Sequence, residues 1–129
     1  MKALLPKGWP RPKGYSNGIL AEGSQVFVAG MIGWNEQGEF PDGFVDQFEQ
    51  TLKNTLAVLA EANAGAADVV RMTWYVTDLD MYRSKLRELG GAYRNLMGTN
   101  FPAMSVVEVS GLVEPKAMIE IETTAVIAQ

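Results

Sequence analysis

Two carboxylates, Glu120 and Glu122, stand two residues apart in the run Met118-Ile-Glu-Ile-Glu-Thr-Thr-Ala-Val-Ile127 near the end of the chain. The run alternates like a strand. Ile119, Ile121, Ala125 and Ile127 fall on one side, and Glu120, Glu122 and Thr124 on the other. Charged groups leave water only when they are paired or used, so the pair admits two readings. One is an edge strand whose outer face is solvated. The other is a carboxylate placed to position water or move a proton, which a Glu does when its surroundings tune it.

The remaining chemistry is bounded by what the chain lacks. It has no cysteine and no histidine. Disulfides and Cys/His zinc sites are thereby excluded, as are a Cys nucleophile and a His general base. Any catalysis must use carboxylate, Tyr, Ser or Thr, Lys, Arg, backbone groups or water. No cofactor motif is found and none is expected. A net charge of −4 argues against a nucleic-acid partner, which needs a basic surface.

The elements that must position these groups can be read in order. With 129 residues, 47% apolar and 20% charged, the expectation is one soluble domain over 1–129 with one core. No apolar run is long enough to span a membrane. The opening Met1-Lys-Ala-Leu-Leu-Pro-Lys-Gly8 is too short and interrupted for a signal peptide, so a cytoplasmic location is the default.

Residues 1–14, with three prolines and three lysines, read as an irregular arm. Gly18 to Ala21 and Gln25 to Met31 read as strands joined in a hairpin at Glu22-Gly-Ser24. Residues 32–43 are turn-rich, and Trp34 among them either caps a core edge or lines a pocket. Phe44, Phe48, Leu52, Leu56 and Leu59 predict a helix over 44–63, with Asp42 as cap, Gly65 as stop and Glu49–Lys53 paired on its outer face.

Val69 to Thr77 reads as a strand, with Val70, Met72, Trp74 and Val76 opposite Arg71, Thr73 and Tyr75. A second helix begins at Asp78 or Asp80 and buries Tyr82, Leu86, Leu89, Tyr93 and Leu96 or Met97. Gly90-Gly91 interrupts it and Gly98 ends it. Its basic residues, Arg83, Lys85, Arg87 and Arg94, lie on a solvated face from which one could reach a neighbouring pocket. Two strands follow, and the order is ββ-α-β-α-ββ. This is an α+β fold, a mixed sheet with two helices on one face. Large apolar residues nevertheless fall on both faces: Phe27 against Val26 and Val28, and Met104 and Val106 against Val107 and Val109. A second subunit is the simplest cover for the other face.

Several segments resemble, in order and at matching spacing, the Rid/YjgF family of small imine and enamine deaminases. They are Phe101-Pro-Ala-Met-Ser-Val-Val-Glu-Val-Ser-Gly-Leu112 with Ile119-Glu-Ile-Glu-Thr-Thr-Ala-Val126, Tyr15-Ser-Asn-Gly18, Val26-Phe-Val-Ala-Gly30, the helix from Gln47 to Asn54, and Asp68-Val-Val-Arg-Met-Thr-Trp-Tyr-Val-Thr-Asp78. The resemblance covers nearly the whole chain, and no single motif carries it. It implies a chorismate-mutase-like α+β fold, a homotrimer whose sheets form a central barrel, and small-molecule sites between subunits.

In the family pattern, the Arg of Pro-Ala-Arg clamps the substrate carboxylate and the first Glu of Glu-Ile-Glu handles water. A Tyr near the start and a Ser-Gly-Gln segment complete the pocket. By that likeness Glu120 is catalytic, and Tyr15, Ala29, Gly30, Met31 and Met104 line the substrate site. Tyr15, Gly30 and Glu120 keep the family residue types. Ala29, Met31 and Met104 replace Ser, Gln and Arg.

A Met offers a carboxylate none of the bidentate contacts an Arg does. The resemblance thus implies weak activity on small 2-imino acids and a pocket for a larger, less anionic ligand. Two functions stay open. One is a hydrolase or deaminase acting on an enamine, imine or related metabolite through Glu120 and water. The other is a trimeric ligand-binding or regulatory module that turns nothing over. Ribonuclease activity, also linked to the family, is disfavoured by the missing histidine and the acidic chain.

Overall fold

The computed structural model describes all 129 residues. Its main sheet has four strands: β3 (Ser24–Met31), β4 (Val69–Val76), β5 (Ala103–Glu108) and β6 (Ile119–Ile127). Their spatial order is β3-β6-β4-β5. β6 pairs antiparallel with both β3 and β4, while β4 and β5 run parallel. A parallel pair needs a long crossover, and here it holds helices α2 (Leu79–Ser84) and α3 (Leu86–Met97). Helix α1 (Phe44–Glu61) packs with them on the same face.

The core lies between sheet and helices. Phe48, Leu52 and Leu59 of α1 and Met97 of α3 meet Met72, Trp74 and Val76 of β4 and Ile119, Ile121 and Ala125 of β6. Each such apolar side chain contributes about 1.5–3 kcal/mol on full burial. The indole of Trp74 is central, with Phe48 at 4.8 Å and Tyr93 at 6.1 Å between ring centroids, and Tyr82 edge-on at 6.5 Å.

Several expectations change in the folded chain. The hairpin of Gly18 to Ala21 with Gln25 to Met31 does not form. Instead β2 (Ile19–Leu20) pairs with β1 (Lys2–Ala3), so the N-terminal arm is partly ordered. Gly23, at φ +148, passes so close to the end of β6 that a Cβ there would lie 2.0 Å from the Ile127 carbonyl oxygen. That turn sends β3 along β6 rather than back on β2.

Helix α1 ends at Glu61, two residues earlier than expected, and Asn63 takes the left-handed turn (φ 57). Its N-cap is Gly43, not Asp42, with no side-chain cap. The expected ion pair is present, Lys53 Nζ to Glu49 Oε1 at 3.2 Å. The second helix is two. It breaks at Lys85 (φ −116, ψ 16) rather than at Gly90-Gly91, which α3 carries without interruption. Leu86, just past the break, is 53% exposed instead of buried. Asp78 caps α2 by accepting from the Met81 amide at 3.0 Å, and Gly98 ends α3 at φ 65. No helix is long and apolar enough to cross a membrane.

Tyr82 and Tyr93 stand in the packed layer, and burial pushes both phenols above their ordinary value of 10.0. The fold thus favours the neutral phenol. That contribution is fully present below about pH 10 and is lost as pH rises through the raised folded values. In an alkaline titration, part of the phenolate absorbance is expected to appear at higher pH in the native protein than in urea, with stability falling as it appears. Coincident titration curves would place both hydroxyls in water.

Candidate functional site

Strand β6 is not an edge strand. It lies between β3 and β4, and its pleat sends Ile119, Ile121, Thr123 and Ala125 into the core. Glu120 and Glu122 emerge on the opposite, open face beside Tyr75 and Thr73 of β4. The two carboxylates then diverge. Glu122 is exposed and accepts from the Tyr75 hydroxyl at 2.6 Å. That hydrogen bond, then desolvation, holds the Tyr75 phenol above its ordinary value.

Glu120 is half-buried. Between Val28 and Met31, β3 carries one extra residue relative to β6, a β-bulge that contains Ala29 and Gly30. Such bulges re-aim side chains next to sites. Here the Glu120 carboxylate rests on bare backbone, because a Cβ on Gly30 would come within 2.0 Å of Oε1 and 2.7 Å of the carboxyl carbon. Any side chain at residue 30 would displace it. Glu120, Gly30 and Met31 line a small pocket of about 140 Å³ with Trp34, Leu112, Val113 and Glu114. Trp34 therefore lines a pocket, tilted against Phe40 at 5.9 Å. The pocket holds two carboxylates and no cation.

Two loops wall this pocket, and helix α1 pins both. The Gln47 side chain, 3% exposed, donates to the Lys116 carbonyl at 3.0 Å and accepts from the Met118 amide at 2.9 Å. It thus fixes the chain just before Glu120. Asn54 donates to the carbonyls of Ile32 and Trp34, both at 2.8 Å. Gly33 lets that loop lie flat on α1, since a Cβ there would meet the Gln47 carbonyl oxygen at 2.6 Å. Gln47 and Asn54 were legible only as helix. For Gln47 the signal was a polar residue, with Thr51 and Thr55, on the buried stripe of α1; Asn54 lies off that stripe and gave none.

Tyr15 and Met104 go elsewhere. Ser16 donates its hydroxyl to the Phe101 carbonyl at 2.5 Å and its amide to that of Pro102 at 2.9 Å. This clip lays Tyr15 beside the start of β5. Met104 pairs in register with Met72 and packs against the core. Tyr15 and Met104 border a second, larger cavity of about 530 Å³ between α3 and β5. Met104 and Glu120 therefore project from opposite faces, with β4 between their strands, about 10 Å apart by strand spacing alone. Within one chain the six expected site residues do not converge. Gly30, Met31 and Glu120 meet at the small pocket, Tyr15 and Met104 at the large one. Ala29 belongs to the bulge but borders neither.

Replacing Gln47 by Leu removes the side-chain partners of the Lys116 carbonyl and the Met118 amide. Each buried polar group left unpaired costs about 1–3 kcal/mol. Gln47→Leu is expected to destabilise the protein by about 2–4 kcal/mol in urea melts, with the largest loss of amide-exchange protection over residues 112–120. A neutral substitution would mean that these loops hold themselves.

Comparison with known proteins gives one answer. A family model described as Endoribonuclease L-PSP matches residues 10–127. A RutC family protein of Pyrococcus abyssi is 37% identical over 119 residues, covering 90% of this chain and 89% of its own. TdcF of Escherichia coli, provisionally named a reactive intermediate deaminase, is 33% identical over 106 residues, 81% of this chain and 80% of that protein. Its crystal structure with bound serine superposes with a TM-score of 0.73 at 29% identity, covering 99% of this chain and 100% of that one. YyfB of Yersinia pestis, from the Rid protein family, superposes at 0.85 with 29% identity over 98% of both chains. These likenesses agree: the chain belongs to the Rid/YjgF family, whose model carries the endoribonuclease L-PSP description.

Proposed function

We propose that the chain hydrolyses an imine or enamine of a small metabolite, at sites completed between the subunits of a homotrimer. The observation that carries this reading is the Glu120 carboxylate laid over the bare backbone of Gly30 in a pocket of about 140 Å³. That pocket has room for a few waters, each taking about 30 Å³ in the liquid. Its carboxylates suit the protonated nitrogen of an iminium ion. Glu120 orients a water against the iminium carbon and takes its proton. The new C–O bond forms as the C=N π pair moves to nitrogen. Glu120 returns that proton to the amine nitrogen, and the C–N bond then breaks as the hydroxyl oxygen becomes the carbonyl and gives its own proton to the departing ammonia, so that C=NH₂⁺ and H₂O become C=O and NH₄⁺. A general base of this kind contributes roughly 10²- to 10⁴-fold.

The split of the site residues supports the assembly. Met104 and Tyr15 lie on one side of the sheet and Glu120 on the other, so only another copy can face one set with the other. The open face also carries Phe27, 73% exposed, with Val107. Covering them with a second subunit removes that apolar area from water. The serine in TdcF supports a ligand of amino-acid size. A trimeric binding module without turnover is the second reading. It is favoured by the apolar types of Ala29, Met31 and Met104.

Sedimentation equilibrium is expected to give three times the 14.1 kDa chain mass; a monomer at micromolar concentration would remove the shared site. With imines generated in situ by an amino-acid oxidase, Glu120→Gln should lower turnover by about 10²-fold or more. Unchanged turnover would exclude Glu120 from the reaction, and no turnover in either form would favour the binding module. Small substrates such as 2-iminopropanoate should react about ten- to a hundredfold more slowly than with a Rid protein carrying Arg at the Met104 position. That matches the loss of one charge-assisted contact of roughly 1.5–3 kcal/mol. Equal rates would show that the Met104 position plays no part in holding the carboxylate.

A further inference from the structure

The large cavity holds more than the site needs for a small metabolite. At about 530 Å³ it is within the range of pockets that bury most of a small organic ligand. Its inner wall is aromatic: Trp74, Tyr82, Tyr93 and Phe101, with the last two stacked at 5.8 Å. Its rim is charged with one sign. Lys13 and Arg94 border it and no carboxylate does, in a chain of net charge −4. Neither cation has a partner; the three ion pairs of the chain use other residues.

Gly90 points the same way. A glycine inside a helix costs ~1 kcal/mol relative to alanine. Nothing within the chain asks for it, because its φ is ordinary and a Cβ there would meet no atom within 4 Å. Gly90, unlike Gly91, borders the cavity, so a longer side chain there would extend into open space at its edge. Trp74, finally, is buried with an indole N–H that finds no acceptor in the chain.

We infer that this cavity receives the aromatic arm of an anionic substrate, an aromatic 2-imino or 2-enamino monocarboxylate, with Arg94 as the partner of its carboxylate. The inference rests on the proposed imine hydrolysis and names its substrate class. Met104 and Gly90 leave space for the arm, and only a ligand seated by that arm brings its carboxylate to the charge on α3; a small 2-imino acid lacks the arm and gains no such contact. The ligand is therefore larger than a small 2-imino acid, as its residue types imply, but it is not less anionic.

The test separates binding from turnover by using acids that cannot be hydrolysed. Calorimetric titration of the full chain should show 3-phenylpropanoate binding at least tenfold more tightly than propanoate or 3-phenylpropanamide. Arg94→Gln should weaken the acid ten- to a hundredfold, the size of one charge-assisted contact, and leave the amide unchanged. Gly90→Leu should fold at least as well, as leucine is the better helix former, and should weaken binding of the acid at least tenfold by intruding on the cavity. Equal affinity for propanoate, no binding of 3-phenylpropanoate at millimolar concentration, or full affinity in a folded Gly90→Leu protein would overturn the inference.

The two proposals fail separately. Turnover that depends on Glu120 but is indifferent to an aromatic arm sinks the substrate class alone. The expected binding pattern with turnover untouched by Glu120→Gln sinks the hydrolysis alone.

Discussion

The two-residue pleat of β6, held in the middle of the sheet, constrains everything around the site. Paired on both edges, the strand cannot slip by one residue without exchanging its faces. Ile119, Ile121 and Ala125 are fully buried and set that register. The same pairing delivers Glu120 to the open face next to the β3 bulge. A carboxylate at the wall of a pocket is thus a consequence of core packing one residue on either side. Moving it would require unpacking the centre of the protein.

Around that strand, precision comes from polar struts rather than from more apolar area. Gln47 and Asn54 reach from α1 to the two loops that close the small pocket, Gln47 with three hydrogen bonds to backbone and Asn54 with two. Loops buried against a helix carry backbone groups that must be paired. A side-chain amide, with donor and acceptor at one tip, suits that task. Three glycines complete the arrangement, each where an added Cβ would strike a named group: Gly23 at Ile127, Gly30 at Glu120 and Gly33 at Gln47. These are close approaches of chain to chain, and they define how tightly loop, bulge and strand end are drawn together.

The two cavities divide charge between them. The pocket at Glu120 has carboxylates and no cation; the cavity at Met104 has cations and no carboxylate. They open on different faces of the same sheet. A substrate with a protonated nitrogen at one end and a carboxylate at the other has the matching polarity, once copies of the chain are apposed. On the proposed reading, Met104 leaves volume open to an apolar arm and Arg94 of α3 supplies the charge.

The chain's own residues determined a good deal in advance. The alternation of β6 named which side of it Glu120 would take, because side-chain period 2 is a local property of an extended chain. Helical spacing placed α1 within two residues at its end, and Gly98 stopped α3 because its left-handed turn suits glycine. Local signals failed where a partner distant in sequence decided. The sequence around Ile19 cannot show that Lys2–Ala3 lies beside it, nor that Gly23 must clear Ile127. The Gly90-Gly91 pair resembles a break, yet α3 runs through it, because packing of Leu89, Ala92 and Tyr93 on the core outweighs the cost of two glycines. Only the tertiary structure put Met104 and Glu120 on opposite faces, since that depends on which strand lies between them. It alone brought Arg94 and Lys13 to one rim, for a charge becomes part of a site through the neighbours that folding gives it.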